Sequence, residues 1–124
     1  YFWLVIRDFS EFGDFIPTDN GLVFMSNKYG KSLFNKYSQL AKNAKKSNVK
    51  FHAICSEGTY EKIEAFKHSL ELPFQFYICD DTELKTMIRS SPGLVLLKSD
   101  TIINKWHCND FMNFEQINNQ YINK

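Results

Sequence analysis

The stretch TMIRSSPGLVLLKSDTIINKW, Thr86 to Trp106, sets the frame for everything around it. Pro92 has no backbone N–H to donate and disfavours helix at the residue before it, so a helical pattern running to Arg89 must stop at Ser91. Gly93 then lets the chain turn into Leu94, Val95, Leu96 and Leu97, an unbroken apolar run of the kind carried by a strand covered on both faces. Lys98, Ser99 and Asp100 read as a turn, and Thr101 to Trp106 is β-rich, so the chain is expected to return antiparallel as a hairpin.

Upstream of that hairpin the pattern alternates between strands and helices. Tyr1 to Ile6 is aromatic and β-branched and reads as a strand, and Asp8 to Asp19 as a loop or an irregular hairpin returning through Phe15 and Ile16. Gly21 to Ser26 is an apolar run bounded by turn residues, and we expect it to be a central strand. From Lys31 to Ser47, Leu33, Phe34, Tyr37, Leu40, Ala41 and Ala44 form one helical stripe, with Asn48 suited to a left-handed C-terminal position. Val49 to Cys55 alternates as a strand, with Val49, Phe51, Ala53 and Cys55 on one side and Lys50, His52 and Ile54 on the other. Thr59 is placed to cap a helix carrying Tyr60, Ile63, Phe66 and Leu70, which ends before Pro73. Phe74 to Cys79 is a further short extended segment. A short helix follows with Leu84, Met87 and Ile88 on one face, and Asp80 and Glu83 stand at capping-box spacing. Beyond the hairpin, Asn113 is placed to cap a last helix with Phe114, Ile117, Tyr121 and Ile122.

Composition narrows the class. At 124 residues, 44% hydrophobic and 16% aromatic with 12 Phe, the chain is expected to form one domain with an aromatic-rich core. Fifteen Lys and Arg against fourteen Asp and Glu give a net charge of +1, which makes no global case for nucleic acid. The charge is uneven, because Lys28 to Lys50 holds seven Lys and no acid. No run of 18 apolar residues is present, and the start lacks the pattern of a signal peptide. The chain opens at Tyr1 and not at Met, so we expect a segment of something longer, with any membrane element outside it.

Three cysteines, Cys55, Cys79 and Cys108, are too few and too widely spaced for a disulfide framework. Cys79 is the candidate thiol for chemistry, because it ends a strand next to a helix start. Asp80 and Asp81 oppose it, since neighbouring negative charge raises a thiol pKa. Cys55 reads as core and Cys108 as a surface thiol beside His107, and a Cys79 to Cys108 disulfide has only geometry to recommend it. His107, Cys108 and Asp110 are acceptable zinc ligands by type, but their spacing matches no recurring site, and His52 and His68 stand alone. Gly30-Lys31-Ser32 lacks the preceding Gly and spacer of a phosphate loop. Neither a cofactor nor a metal is therefore expected.

The order of elements resembles the thioredoxin fold, over about Gly21 to Tyr121, and more closely its branch of TlpA-like and peroxiredoxin-like proteins. In detail, Leu84 to Lys98 and Ile102 to His107 are similar to the C-terminal thioredoxin-like domain of bacterial DoxX-type membrane proteins. The resemblance implies a three-layer α/β/α sandwich with a mixed sheet, divided into an N-terminal hairpin or strand extension at 1–20 and a core at 21–124. Pro92 takes the place of the family's cis-proline, and Ser91, Pro92 and Gly93 become a possible peptide-binding corner. The family's C-x-x-C would fall at Ser26 to Ser32, where there is no cysteine. The expected function is accordingly a non-redox accessory or protein-interaction domain. It would be tethered to a membrane through segments outside this chain, with the periplasmic side preferred to the cytoplasmic, and would bind a protein partner and no nucleic acid. The alternatives are a single-cysteine thiol-redox protein using Cys79 and a membrane-surface module using the Lys-rich helix.

Overall fold

Tyr1 to Ile6 is the segment whose apolar residues face both ways, and it forms the middle of the sheet. The computed structural model describes residues 1–56, 60–88, 92–99 and 101–122. Its strands are β1 (Phe2–Ile6), β2 (Gly13–Thr18), β3 (Gly21–Ser26), β4 (Phe51–Cys55), β5 (Gln75–Ile78), β6 (Gly93–Lys98) and β7 (Thr101–His107). Its helices are α1 (Lys28–Lys46), α2 (Tyr60–Leu70), α3 (Asp81–Met87) and α4 (Phe114–Ile117). Five strands make one mixed sheet in the order β5-β4-β1-β6-β7, while β2 and β3 form a separate two-stranded sheet. β1 runs parallel to β4, β4 parallel to β5, and β6 is antiparallel to both β1 and β7. The molecule is thus mixed α/β, with helices on both faces of a five-stranded sheet.

The expected central strand is the main correction. Among the described residues Gly21 to Ser26 pairs with β2 alone, and β1, which the sequence reading places in an extension of the core, holds the centre. The reason is burial capacity. Phe2, Leu4, Val5 and Ile6 are each fully buried, whereas β3 buries Phe24 and leaves Val23 and Met25 42% and 57% exposed. A strand with one wet face cannot sit between two layers of helices. The β2–β3 hairpin also follows the first sheet strand and does not precede the core.

The terminal hairpin forms as expected. Leu94 to Leu97 alternate between the two sides of the sheet: Leu94 and Leu96 join the larger apolar cluster and Val95 and Leu97 the smaller. A bulge between Leu96 and Leu97 shifts the β6–β7 register. On the larger side Phe2, Leu4, Phe51 and Ala53 meet α1, α2, β3 and α4, and Phe66 of α2 touches Phe9, Phe24 and Phe34 at centroid distances of 4.7, 4.8 and 5.1 Å. On the smaller side Val5, Ile54, Val95 and Leu97 pack against Leu84 and Ile88.

Local chemistry explains the helix ends. Asn27 caps α1 by accepting from the Gly30 N–H at 2.7 Å, and its Nδ2 donates to the Glu11 carbonyl at 2.9 Å. Gly30 is needed there, since a Cβ would stand 2.5 Å from the Phe12 carbonyl oxygen. Asn48 closes the far end at φ 60°, in the left-handed region expected of it. Asn113 and Gln116 form a reciprocal capping box at α4. Thr59, expected to cap α2, lies outside the described residues. Among the described residues, no helix is long and apolar enough to cross a membrane.

Candidate functional site

The carboxyl ends of the three parallel strands converge at one edge of the sheet, the place where open α/β sheets hold ligands. Arg7 follows β1, Ser56 follows β4, and Cys79 and Asp80 follow β5 and lead into α3. Hydrogen bonds draw these turns together. Arg7 Nε donates to Asp81 Oδ1 at 2.9 Å, Ser56 Oγ donates to the Arg7 carbonyl at 3.2 Å, and the Cys79 N–H donates to the Cys55 carbonyl at 2.9 Å. Pro92 and Gly93 bring the head of β6 to the same end, because Gly93 pairs with Val5. Both are buried, while Ser91 and the Ser91–Pro92 peptide bond lie outside the described residues.

Cys79 sits at the end of β5 beside the start of α3, as expected, but its environment is set by a different acid. Asp80 acts as N-cap, accepting from the Thr82 N–H at 2.7 Å. Glu83, expected to complete a capping box with Asp80, instead accepts the Cys79 thiol at 3.2 Å. That hydrogen bond, then partial burial, then the Glu83 charge push the Cys79 thiol above its ordinary value. The arrangement favours the protonated thiol, which is the wrong form for a nucleophile.

The remaining cysteines are dispersed. Cys55 is fully buried in the larger cluster. Cys108 is half-buried beyond β7, with its Sγ 3.5 Å from His107 Nδ1 and 3.8 Å from the Tyr29 hydroxyl. Because β5 and β7 are the two outer strands, Cys79 and Cys108 are separated by about 19 Å at the usual strand spacing, which excludes the disulfide between them. Among the described residues, no three His, Cys, Asp or Glu side chains are grouped to hold a metal ion. His68 is exposed on α2, and His52 is half-buried on the α3 side of β4.

No cysteine occurs before Cys55. The end of β1 and the start of α1 are therefore both without a thiol; the sequence pattern points to the second place alone. Arg7, Ser56 and Glu83 were missed as members of this site. Arg7 and Asp81 are 74 positions apart, and nothing local marks them as partners. Glu83 was visible at four residues from Cys79, a spacing that brings two side chains together at a helix start. Neither protein-family models nor curated proteins give a match to this chain.

Proposed function

We propose that this chain is a thioredoxin-like domain without dithiol chemistry, serving as an accessory or protein-interaction module of a larger membrane-associated bacterial protein. Support comes first from the strand order. A parallel β1–β4 pair flanked by the antiparallel β6–β7 hairpin is the arrangement that the resemblance implies, with β1 in the place first given to Gly21 to Ser26. The observation that carries the functional half is the Cys79 thiol donating to Glu83, in a chain with no cysteine at the end of β1 or the start of α1. A redox member needs a stabilised thiolate at the end of the first strand.

The edge formed by Arg7, Ser56, Asp81 and the Pro92–Gly93 corner is the surface we assign to the protein partner. Its ion pair and hydroxyl suit polar groups of an extended peptide. Insulin-reduction turnover tests the proposal: the purified chain is expected to give none above the rate with reductant alone, and turnover would overturn it. The single-cysteine redox reading is weaker, because the groups around Cys79 work against thiolate formation.

A further inference from the structure

We propose that the α3 side of the sheet binds single-stranded nucleic acid, stacking unpaired bases on a row of aromatic rings flanked by two lysines. α3 has seven residues, a length of about 10 Å, and covers one end of this face. A Cβ on Gly93 would stand 2.5 Å from Ile88 Cδ1, which sets Ile88 over the row formed by Gly93, Val5 and Ile54. The next row on the same side holds His52 and Trp3, direct partners on the adjacent parallel strands β4 and β1. Among the described residues, Leu84 and Ile88 alone join the apolar cluster of this face from outside the strands and their ends. Trp3 and His52 are half-buried and Tyr77 is 54% exposed, so each ring keeps surface for a ligand. Tyr77 meets His52 in a T-shaped contact at 5.3 Å between centroids, and Tyr1 meets Trp3 at 5.9 Å, which adds a ring on either side.

Charge on this face has one sign. Lys50 alternates onto the side of His52, and Lys105 lies on the side of its cross-strand partner Val95. Burial, and after it the Lys50 charge, push the His52 imidazole below its ordinary value, so the ring is uncharged at neutral pH and Lys50 lies within its reach. β4 and β7 are three strand spacings apart, about 14 Å, which puts the two ammonium groups on opposite flanks of Trp3. No sheet position on this side is Asp or Glu, and among the described residues neither lysine is paired with a carboxylate. The net charge of +1 hides this local excess, because the acids lie elsewhere. His52 Nδ1 has no hydrogen-bond partner among the described residues, so its ring can turn toward a base edge without breaking a bond at that atom. Rings that stack on any base, with cations on both sides for the phosphates, are what an unpaired strand requires. A neutral sugar or an apolar helix would leave both lysines unused.

The probe is an oligothymidylate of about ten nucleotides, titrated into the isotope-labelled chain. Saturable shifts are expected at the Trp3 indole N–H and at the amides of His52 and Tyr77. The Trp106 indole should stay still, since it is buried on the opposite face and donates to Met112 Sδ at 3.1 Å. Tyr77→Ala should weaken binding by about tenfold with an unchanged salt dependence, which is the mark of lost stacking. Lys50→Ala/Lys105→Ala should weaken it by a similar factor and lower the slope against log salt by about 1. Lys28→Ala/Lys31→Ala removes the same charge from α1, on the other side of the sheet, and should leave binding within about twofold. All five side chains are exposed, so the three variants are expected to fold. A duplex of the same length should bind more weakly, because its bases are already stacked. Equal binding of the duplex, or an equal loss in the two lysine variants, would overturn the proposal. Shifts that follow the concentration of the chain itself and not that of the oligonucleotide would also overturn it, and would make this face a contact between two copies.

Discussion

At the scale of single residues, Cys79 shows how one neighbour decides reactivity. Asp80 and Asp81 looked like the groups that would suppress it, yet Asp80 is occupied as a helix cap and Asp81 by Arg7. Glu83 holds the thiol proton. Replacing it with Gln removes the charge and the strong acceptor, so the Cys79 pKa should fall toward its ordinary value. Alkylation with iodoacetamide, followed at Cys79 by peptide mapping across a pH series, should show wild-type Cys79 reacting more slowly than a model thiol at neutral pH. The Glu83→Gln variant should react faster than wild type. A variant with an unchanged profile would remove Glu83 as the cause. The direction of this effect was legible in the acidic cluster, but the responsible side chain was not, because capping and ion pairing had already claimed its competitors.

At the scale of elements, the junction between β3 and α1 carries more than a helix start. Asn27 accepts from Gly30, donates to the Glu11 carbonyl, and through its own N–H reaches the Phe12 carbonyl at 2.8 Å. It thereby ties α1 to the short 3-10 turn at Ser10–Phe12, against which Gly30 also packs. Asn27→Ala should cost about 1 kcal/mol, chiefly from the lost cap. Urea unfolding checks this as a lower midpoint with an unchanged slope. Asn27→Asp keeps the capping oxygen and should recover more than half of the loss. Capping residues are legible because they act within one turn, as Asn48 and Asn113 also illustrate. The Asn27 to Glu11 bond was not legible, since it depends on how the hairpin folds back.

At the scale of the whole molecule, aromatic packing joins elements that are distant in sequence. Phe66 connects α2 to the turn after β1, to β3 and to α1. Tyr37 lies in the same cluster, 1% exposed, and burial, more than the nearby Cys108 and Tyr29, pushes its phenol far above the ordinary value. A tyrosine whose pKa is raised by folding contributes stability that is fully present below about pH 10, the unfolded value, and is lost as pH rises beyond it. Unfolding midpoints should therefore fall steeply above about pH 10, and Tyr37→Phe should flatten that fall. A variant that declined as steeply as wild type would place the alkaline sensitivity elsewhere.

The sequence by itself determined the hairpin after Pro92, the apolar stripe of α1 from Leu33 to Ala44, the two-sided burial of Leu94 to Leu97 and the lack of a C-x-x-C. These follow from backbone restriction, side-chain periodicity and residue identity, each acting over a few positions. Only the tertiary structure decided that β1 and not β3 is the central strand, that Arg7 meets Asp81, and that Cys79 and Cys108 stand at opposite edges. The physical reason is that strand order is a competition for burial. Two apolar segments of similar length were eligible for the centre, and the one with apolar residues on both faces took it, because helices cover both sides of that position.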